Sequence, residues 1–405
     1  MVIIVLKSRL LRVFASRTRL VMALGAIIAG AAIGVPVAAG TASAATVAAR
    51  PGAVTSGPDA SFPATVVALH CWSLTNCIAV GANTPQMATQ LIAERWNGTR
   101  WSKSAMPKPA GAANVTIGGI ACPSRSECVA VGTGYPPATS KSGFFPIAAY
   151  WNGSRWTAAR AAAAGSDDVL ESVSCPAAKS CFATGNYMPN SSVVDPLIEH
   201  WNGAKWSRQA ASVPRGTSFG DLPAVSCPSA KFCVAVGSDG SGVLIERWNG
   251  SGWSMSAPKS VSSASLFSVS CPSATSCFAV GSNLTMYGAS LTEHWNGRTW
   301  SRSTTPVPHN ASYAGLQSVS CVSAAHCLAV GEDAIPGVYA ASWNGSGWHL
   351  VSMTTTGGHI GAFYAVDCLA ASSCVALGAT TQFAASARSE SAFWNGTRWK
   401  VALTA

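Results

Sequence analysis

Fourteen cysteines and fourteen of the fifteen tryptophans of this 405-residue chain belong to seven copies of one pattern, and that repetition limits the fold more than any other feature. A Cys-x5-Cys pair recurs as Cys71 and Cys77, Cys122 and Cys128, Cys175 and Cys181, Cys227 and Cys233, Cys271 and Cys277, Cys321 and Cys327, and Cys368 and Cys374. Each pair is followed by Trp-Asn-Gly-x-x-Trp, as Trp96 and Trp101, Trp151 and Trp156, Trp201 and Trp206, Trp248 and Trp253, Trp295 and Trp300, Trp343 and Trp348, and Trp394 and Trp399. Only Trp72 stands outside the pattern. Self-similarity at a fixed period of about 50 residues means one supersecondary unit repeated and stacked.

The fifth copy shows what the unit is. Leu266-Phe267-Ser268-Val269-Ser270-Cys271 alternates as a strand does, Pro272 to Ser276 reads as a five-residue turn, and Cys277-Phe278-Ala279-Val280-Gly281 is a second strand. Leu291 to Trp295 is a third, and Asn296-Gly297 marks a hairpin, because Asn and Gly tolerate the positive φ of tight turns. Trp300 opens a fourth. Second-strand runs such as Val129-Ala130-Val131 and Val234-Ala235-Val236 are apolar on both faces, so both faces are buried. The prediction is an all-β fold: a seven-bladed β-propeller of four-stranded antiparallel blades.

Two cysteines flanking a short hairpin turn lie across it and point to one face, within bridging distance. One disulfide per blade follows, each contributing about 2 kcal/mol. A zinc site would need a different spacing, and an even cysteine count in an exported chain favours disulfides. The two hairpin tryptophans share a face whether the loop holds two or four residues, which suits packing between blades rather than a sugar platform. Asn97, Asn152, Asn249, Asn344 and Asn395 also begin Asn-Gly-Ser/Thr sequons, but the turn already requires Asn-Gly.

The chain is 48% hydrophobic and only 10% charged. Its one long uncharged apolar stretch, residues 20–40, excludes a multi-span transporter. Lys7, Arg9, Arg12, Arg17 and Arg19 precede that stretch and Ala42-Ser43-Ala44 follows it, so residues 1–44 read as a secretory signal cut after Ala44, the alternative being an uncleaved anchor. Residues 45–62 read as a flexible lead-in and 63–405 as the propeller. Five basic residues leave with the signal, taking the net charge from +10 to +5 with no basic stripe, so no nucleic-acid partner is expected. The ring closes either by packing of blade one on blade seven or by a strand from residues 45–62.

The units resemble those of Kelch and galactose-oxidase-type propellers, in which an apolar strand ends in Gly, a variable loop follows and an aromatic hairpin ends the repeat. Cys-Val-Ala-Val-Gly at 233–237 and Arg-Trp-Asn-Gly-Ser-Gly-Trp at 247–253 hold those places, across residues 64–401. The chain lacks the double Gly of Kelch repeats and adds a disulfide per blade. The fuller pattern, Ser-Val-Ser-Cys-Pro-Ser, Cys-x-Ala-Val-Gly, Trp-Asn-Gly-x-x-Trp, is similar to secreted actinobacterial repeat proteins. The resemblance implies fold and export and carries over no catalytic residue.

Alternating strands put turns 1–2 and 3–4 on one propeller face and loops 2–3 and 4–1 on the other. The first face repeats; the second carries loops of unequal length, such as Thr133–Pro146, Asn186–Pro196 and Ser238–Val243, and is the expected ligand face. Its candidate binding residues are Tyr135, Phe144, Phe145, Tyr187, Tyr287 and Tyr313, with His309 and His359 in successive 4–1 loops. Glu94, Glu199, Glu246 and Glu293, each two residues before a hairpin Trp, suggest a repeated structural bond rather than an acid/base pair. Asp167-Asp168 reads as a solvated turn or a cap on the next strand, and Asp239-Gly240 and Glu332-Asp333 fall short of a calcium loop. No cofactor, metal or catalytic residue is expected. The chain reads as a monomeric secreted or cell-surface binding module for an extracellular protein or glycan. The alternatives are a carbohydrate-active enzyme using Asp167, His309 or His359 at the axial mouth, and a multivalent lectin using the repeated Trp.

Overall fold

The computed structural model divides the chain into residues 1–51 and 52–405. It describes residues 65–403 except 83–89, 141, 215, 257–261, 284–288, 310, 312, 334–336, 352–359 and 381–388. The expected signal and lead-in, Tyr287 and His359 lie outside the described residues.

Twenty-eight strands form seven four-stranded antiparallel sheets, each built from four consecutive strands. The inner strands are Thr65–Ser73, Asn114–Ser124, Val169–Ala177, Asp221–Ser229, Ala264–Ser273, Ala314–Ser323 and Ile360–Ala370. Each packs against the inner strands of both neighbouring blades, and Thr65–Ser73 against Ile360–Ala370 closes the ring. This is the predicted seven-bladed propeller, and the seventh blade is complete with its own four strands. Seven hydrophobic clusters fill the seven gaps between blades. Alternate second-strand residues serve opposite gaps: Ile78 and Val80 face blade two, Cys77 and Ala79 face blade seven.

All seven predicted disulfides form, each within its own blade. Cys71 is bonded to Cys77, Cys122 to Cys128, Cys175 to Cys181 and Cys227 to Cys233. Cys271 is bonded to Cys277, Cys321 to Cys327 and Cys368 to Cys374. The paired Cα atoms lie 4.0–4.1 Å apart. The hairpin that carries them is tighter than the expected five-residue turn. In blade five, Ser273 pairs with Ser276 around a two-residue turn, and the ladder shifts register between Ser270 and Ser273. That shift is a β-bulge, which tolerates Pro272 because a bulged residue owes the ladder no N–H. Blade one has Trp72 at this place and the same shift, so proline fits the bulge without causing it.

The disulfide heads a row across each blade. Cys77 pairs with Trp96 and Trp96 with Trp101, and the same pairing holds in every blade. Six first-Trp indoles donate to a carbonyl of the 1–2 turn, Trp96 to Leu74 at 2.8 Å for example, tying the two hairpins together. The ring is covered by the next-blade contact: Arg95 lies over Trp151, Tyr150 on Trp201, Arg247 over Trp295 and Phe393 on Trp96. The tryptophans are inter-blade core.

The 3–4 loop has four residues, and only its glycine takes a positive φ, +92° to +97° across the seven copies. The asparagine contributes differently from the sequence expectation. Its Oδ1 accepts two backbone N–H groups, as Asn97 does from Thr99 and Arg100, both at 3.0 Å.

The Ser-Val-Ser-Cys motif staples the inner strands to one another. Ser268 and Ser270 Oγ accept the N–H of Val319 and Cys321, and Ser318 and Ser320 those of Val366 and Cys368. At the closure Asp367 replaces serine, its Oδ2 accepting Cys71 N–H at 2.7 Å. Asp367→Ala leaves that donor without its acceptor and is expected to cost about 1–3 kcal/mol in a urea titration. Asp367→Ser, which restores the motif, should recover most of it; equal losses in both variants would refute the staple.

Candidate functional site: the axial mouth

Aligning the seven inner strands on their first cysteine isolates one unusual column. Five residues before Cys the chain is apolar (Val66, Ile117, Leu170, Leu222, Leu266, Leu316, Phe363), and two before it is Leu, Ile or Val. Four before it stand Val67, Gly118, Glu171, Pro223, Phe267, Gln317 and Tyr364, with no residue type repeated. The ladder shifts register across this column in every blade: Leu266 pairs with Gly281 and Ser268 with Val280, leaving Phe267 as the extra residue. The other six blades do the same.

A bulge re-aims its extra residue out of the pleat. Here the bulged strand is the one nearest the axis, and six of the seven bulged residues stay partly exposed, Pro223 alone being buried. The glycine ending Cys-x-Ala-Val-Gly makes room for the bulge. A Cβ on Gly281 would stand 2.0 Å from the Ser265 carbonyl oxygen, and on Gly132, Gly185, Gly237 or Gly331 1.9–2.2 Å from the equivalent oxygen. Glycine is thus required by close backbone approach.

Second-strand residues following that glycine join the ring. Asn186, 2% exposed, donates from Nδ2 to Glu171 Oε1 at 3.2 Å and to Asp221 Oδ1 at 3.0 Å, linking blades three and four. Across the axis, Glu332 is pushed up to about 7 by burial and by the Asp333 charge. Tyr313 and Tyr364 are each pushed up to about 12, first by burial and then by the Glu332 charge, so both hydroxyls stay protonated near neutrality. Tyr135 is raised by burial, with Glu171 adding to it. The inner and second strands contain no Lys or Arg although the chain has 26. The mouth therefore offers aromatic faces and acceptor oxygens to a ligand that brings hydrogen-bond donors.

The aromatic candidates fall in different places. Tyr135 packs against Phe144 at the blade-two rim, centroids 4.7 Å apart and ring planes tilted by 60°. Phe145 is buried beneath Arg160, whose guanidinium lies 3.7 Å from the ring centroid. Tyr187 is buried on a second strand that runs on to Asn190, so the expected loop 186–196 is an extended hairpin turning at Ser191-Ser192. His309 is exposed in the connection into blade six. Asp167-Asp168 is not a solvated turn: Asp167 Oδ1 accepts Phe144 N–H at 3.0 Å, and the buried Asp168 accepts Ala164 and Gly165 N–H. Asp239 closes its own turn through Ser241 and Gly242 N–H. The four recurring glutamates are fully buried. Glu199 accepts Ala162 N–H and Glu246 accepts Ser212 N–H, each holding the connection that leads into its own blade, while Glu293 faces Arg302 at 3.7 Å. Among the described residues no group of three or more His, Cys, Asp or Glu is placed to hold a metal.

The axial column lies within a strand, outside the loops where the sequence places its candidates. Its signal in the sequence is that no residue type recurs in it, while the positions five and two before Cys stay apolar in every copy.

No protein-family model matches the sequence, and no curated protein matches it. Among solved structures it is similar to the GH74 xyloglucanase from Xanthomonas campestris, at 12% identity over 83% of this chain and 54% of that one, TM-score 0.54. It is also similar to YCF48 from Cyanidioschyzon merolae, at 14% identity over 78% and 94%, TM-score 0.50. A fucose-binding lectin from Aleuria aurantia, described as six-bladed, aligns at 10% identity over 72% and 95%, TM-score 0.47. Likeness at such identities is one of fold alone; the chain's own seven four-stranded blades make it a β-propeller.

Proposed function

We propose that the protein is an extracellular binding module of Kelch-like repeat type, whose protein or glycan ligand meets the axial mouth on the variable-loop face. The observation that carries this reading is the bulged column. A frame that repeats its disulfide and its tryptophan pair seven times carries, on the inner strand of every blade, one bulged position at which no residue type recurs. Seven disulfides without a free cysteine among the described residues suit an oxidising compartment, as does the basic-then-apolar N-terminus.

The test is a screen of the purified protein on glycan and peptide arrays, repeated with Phe267→Ala and Tyr364→Ala. Ligands of the axial mouth should lose at least tenfold in affinity in both variants with the fold intact by circular dichroism. Ligands that bind both variants as tightly as the parent would remove the axial reading.

A further inference from the structure

Blade three carries a groove of about 350 Å³ on the variable-loop side, walled by Tyr187, Asp195, Pro196, Arg208, Gln209 and Val213 among others. Its size is that of a small-ligand site. The Arg208 guanidinium lies over the Tyr187 ring, 4.0 Å from its centroid, and donates to the Tyr187 hydroxyl, which in turn donates to Asp195 Oδ2 at 3.3 Å. The ring and the hydroxyl hold the guanidinium in place, and among the described residues they engage only part of its five N–H donors. Among the described residues no carboxylate stands within 4 Å of it.

Of the acids behind the groove, Glu199 is pushed up to about 8, first by burial, so its carboxyl is largely protonated near neutrality; Asp168 is raised by burial, with the Arg208 charge among the causes that act the other way. What faces the groove is a planar cation, the Asp195 carboxylate beside it, and an apolar wall of Pro196 and the 36% exposed Val213.

We propose that this groove is a second binding site, independent of the axial mouth, for a carboxylate that carries a neighbouring hydroxyl. The guanidinium fork matches a carboxylate through two parallel hydrogen bonds. Asp195 accepts the hydroxyl, and the apolar wall covers a C–H face. Two sources supply that chemistry: a terminal hexuronate of an acidic glycan, with its 4-hydroxyl free, and a free 2-hydroxy acid. The apolar wall, which a sugar's C–H face can cover, favours the hexuronate.

Calorimetric titration of the purified protein with methyl galacturonide, whose 4-hydroxyl is free, with the matched neutral methyl galactoside, and with lactate tests this. The galacturonide should bind at least tenfold more tightly than the neutral galactoside and more tightly than lactate; lactate binding as well as the galacturonide identifies the free hydroxy acid as the source. Arg208→Gln should abolish uronate binding and Asp195→Asn weaken it, with melting temperatures unchanged, whereas Tyr364→Ala at the axial mouth should leave it intact. Binding of the neutral galactoside as tight as the uronate, unchanged affinity in Arg208→Gln, or no binding of either carboxylate overturns the proposal.

Discussion

Raising the pH from 5 to 9 is expected to destabilise this protein, against the usual trend for carboxylates. Glu199 is pushed up to about 8 and Glu246 to about 7, both first by burial, and Glu293 is raised for the same reason. In the unfolded chain a glutamate titrates near 4.5. Above that value the folded protein keeps protons that the unfolded chain has lost. The stabilisation is therefore complete below about pH 4.5 and disappears as the pH rises through 7 to 8. Each such group adds a slope of up to about 1.4 kcal/mol per pH unit while it is protonated only in the folded state. Glu199→Gln and Glu246→Gln keep a side-chain oxygen for Ala162 and Ser212 N–H but have no charge to bury. The double variant should show a flatter pH dependence of melting temperature and exceed the parent at pH 9. A parent whose stability rises steadily from pH 5 to 9 would show that these carboxyls are ionised in the fold.

The second large effect concerns backbone room. Gly281→Ala places a methyl 2.0 Å from the Ser265 carbonyl oxygen, a clash between two paired strands that no rotamer relieves. The inner strand must move or lose its bulge, at an expected cost of about 3 kcal/mol. Because the bulge aims Phe267, the same change should weaken any axial ligand as well. Gly252→Ala is the control: its Cβ would meet nothing within 4 Å, and stability should stay within about 0.5 kcal/mol of the parent. Chemical denaturation of both variants decides the matter; equal midpoints would mean that the glycine is not fixed by the bulge.

The frame was legible in the sequence because its devices act over short distances and repeat. A cysteine pair six apart, an Asn-Gly turn and an alternating apolar strand each state their local geometry, and seven copies turn each local inference into architecture. What was hidden depends on register. Nothing in Leu266-Phe267-Ser268 announces that Phe267 is an extra residue; that appears only once Leu266 pairs with Gly281 and Ser268 with Val280. The serines were read as part of a strand pattern, although their hydroxyls act on the next blade, about 50 residues away. The aromatic loop candidates divided because a ring near a loop is as easily drawn into the gap between blades, like Phe145, as left at the rim, like Tyr135.

The disulfides also set an order of assembly. Every bridge joins cysteines six residues apart, whereas the Asp367–Cys71 bond that closes the ring joins residues 296 apart. Contact across so few residues forms within roughly 10–100 ns, far faster than oxidation itself, so each cysteine meets its own partner before any other. Fourteen thiols thus have a single kinetically favoured pairing, and every hairpin becomes cross-linked without waiting for its neighbours. Ring closure needs the seventh blade and comes last. A chain delivered N-terminus first into an oxidising space can lock its blades one after another, leaving only their mutual docking to depend on the complete polypeptide.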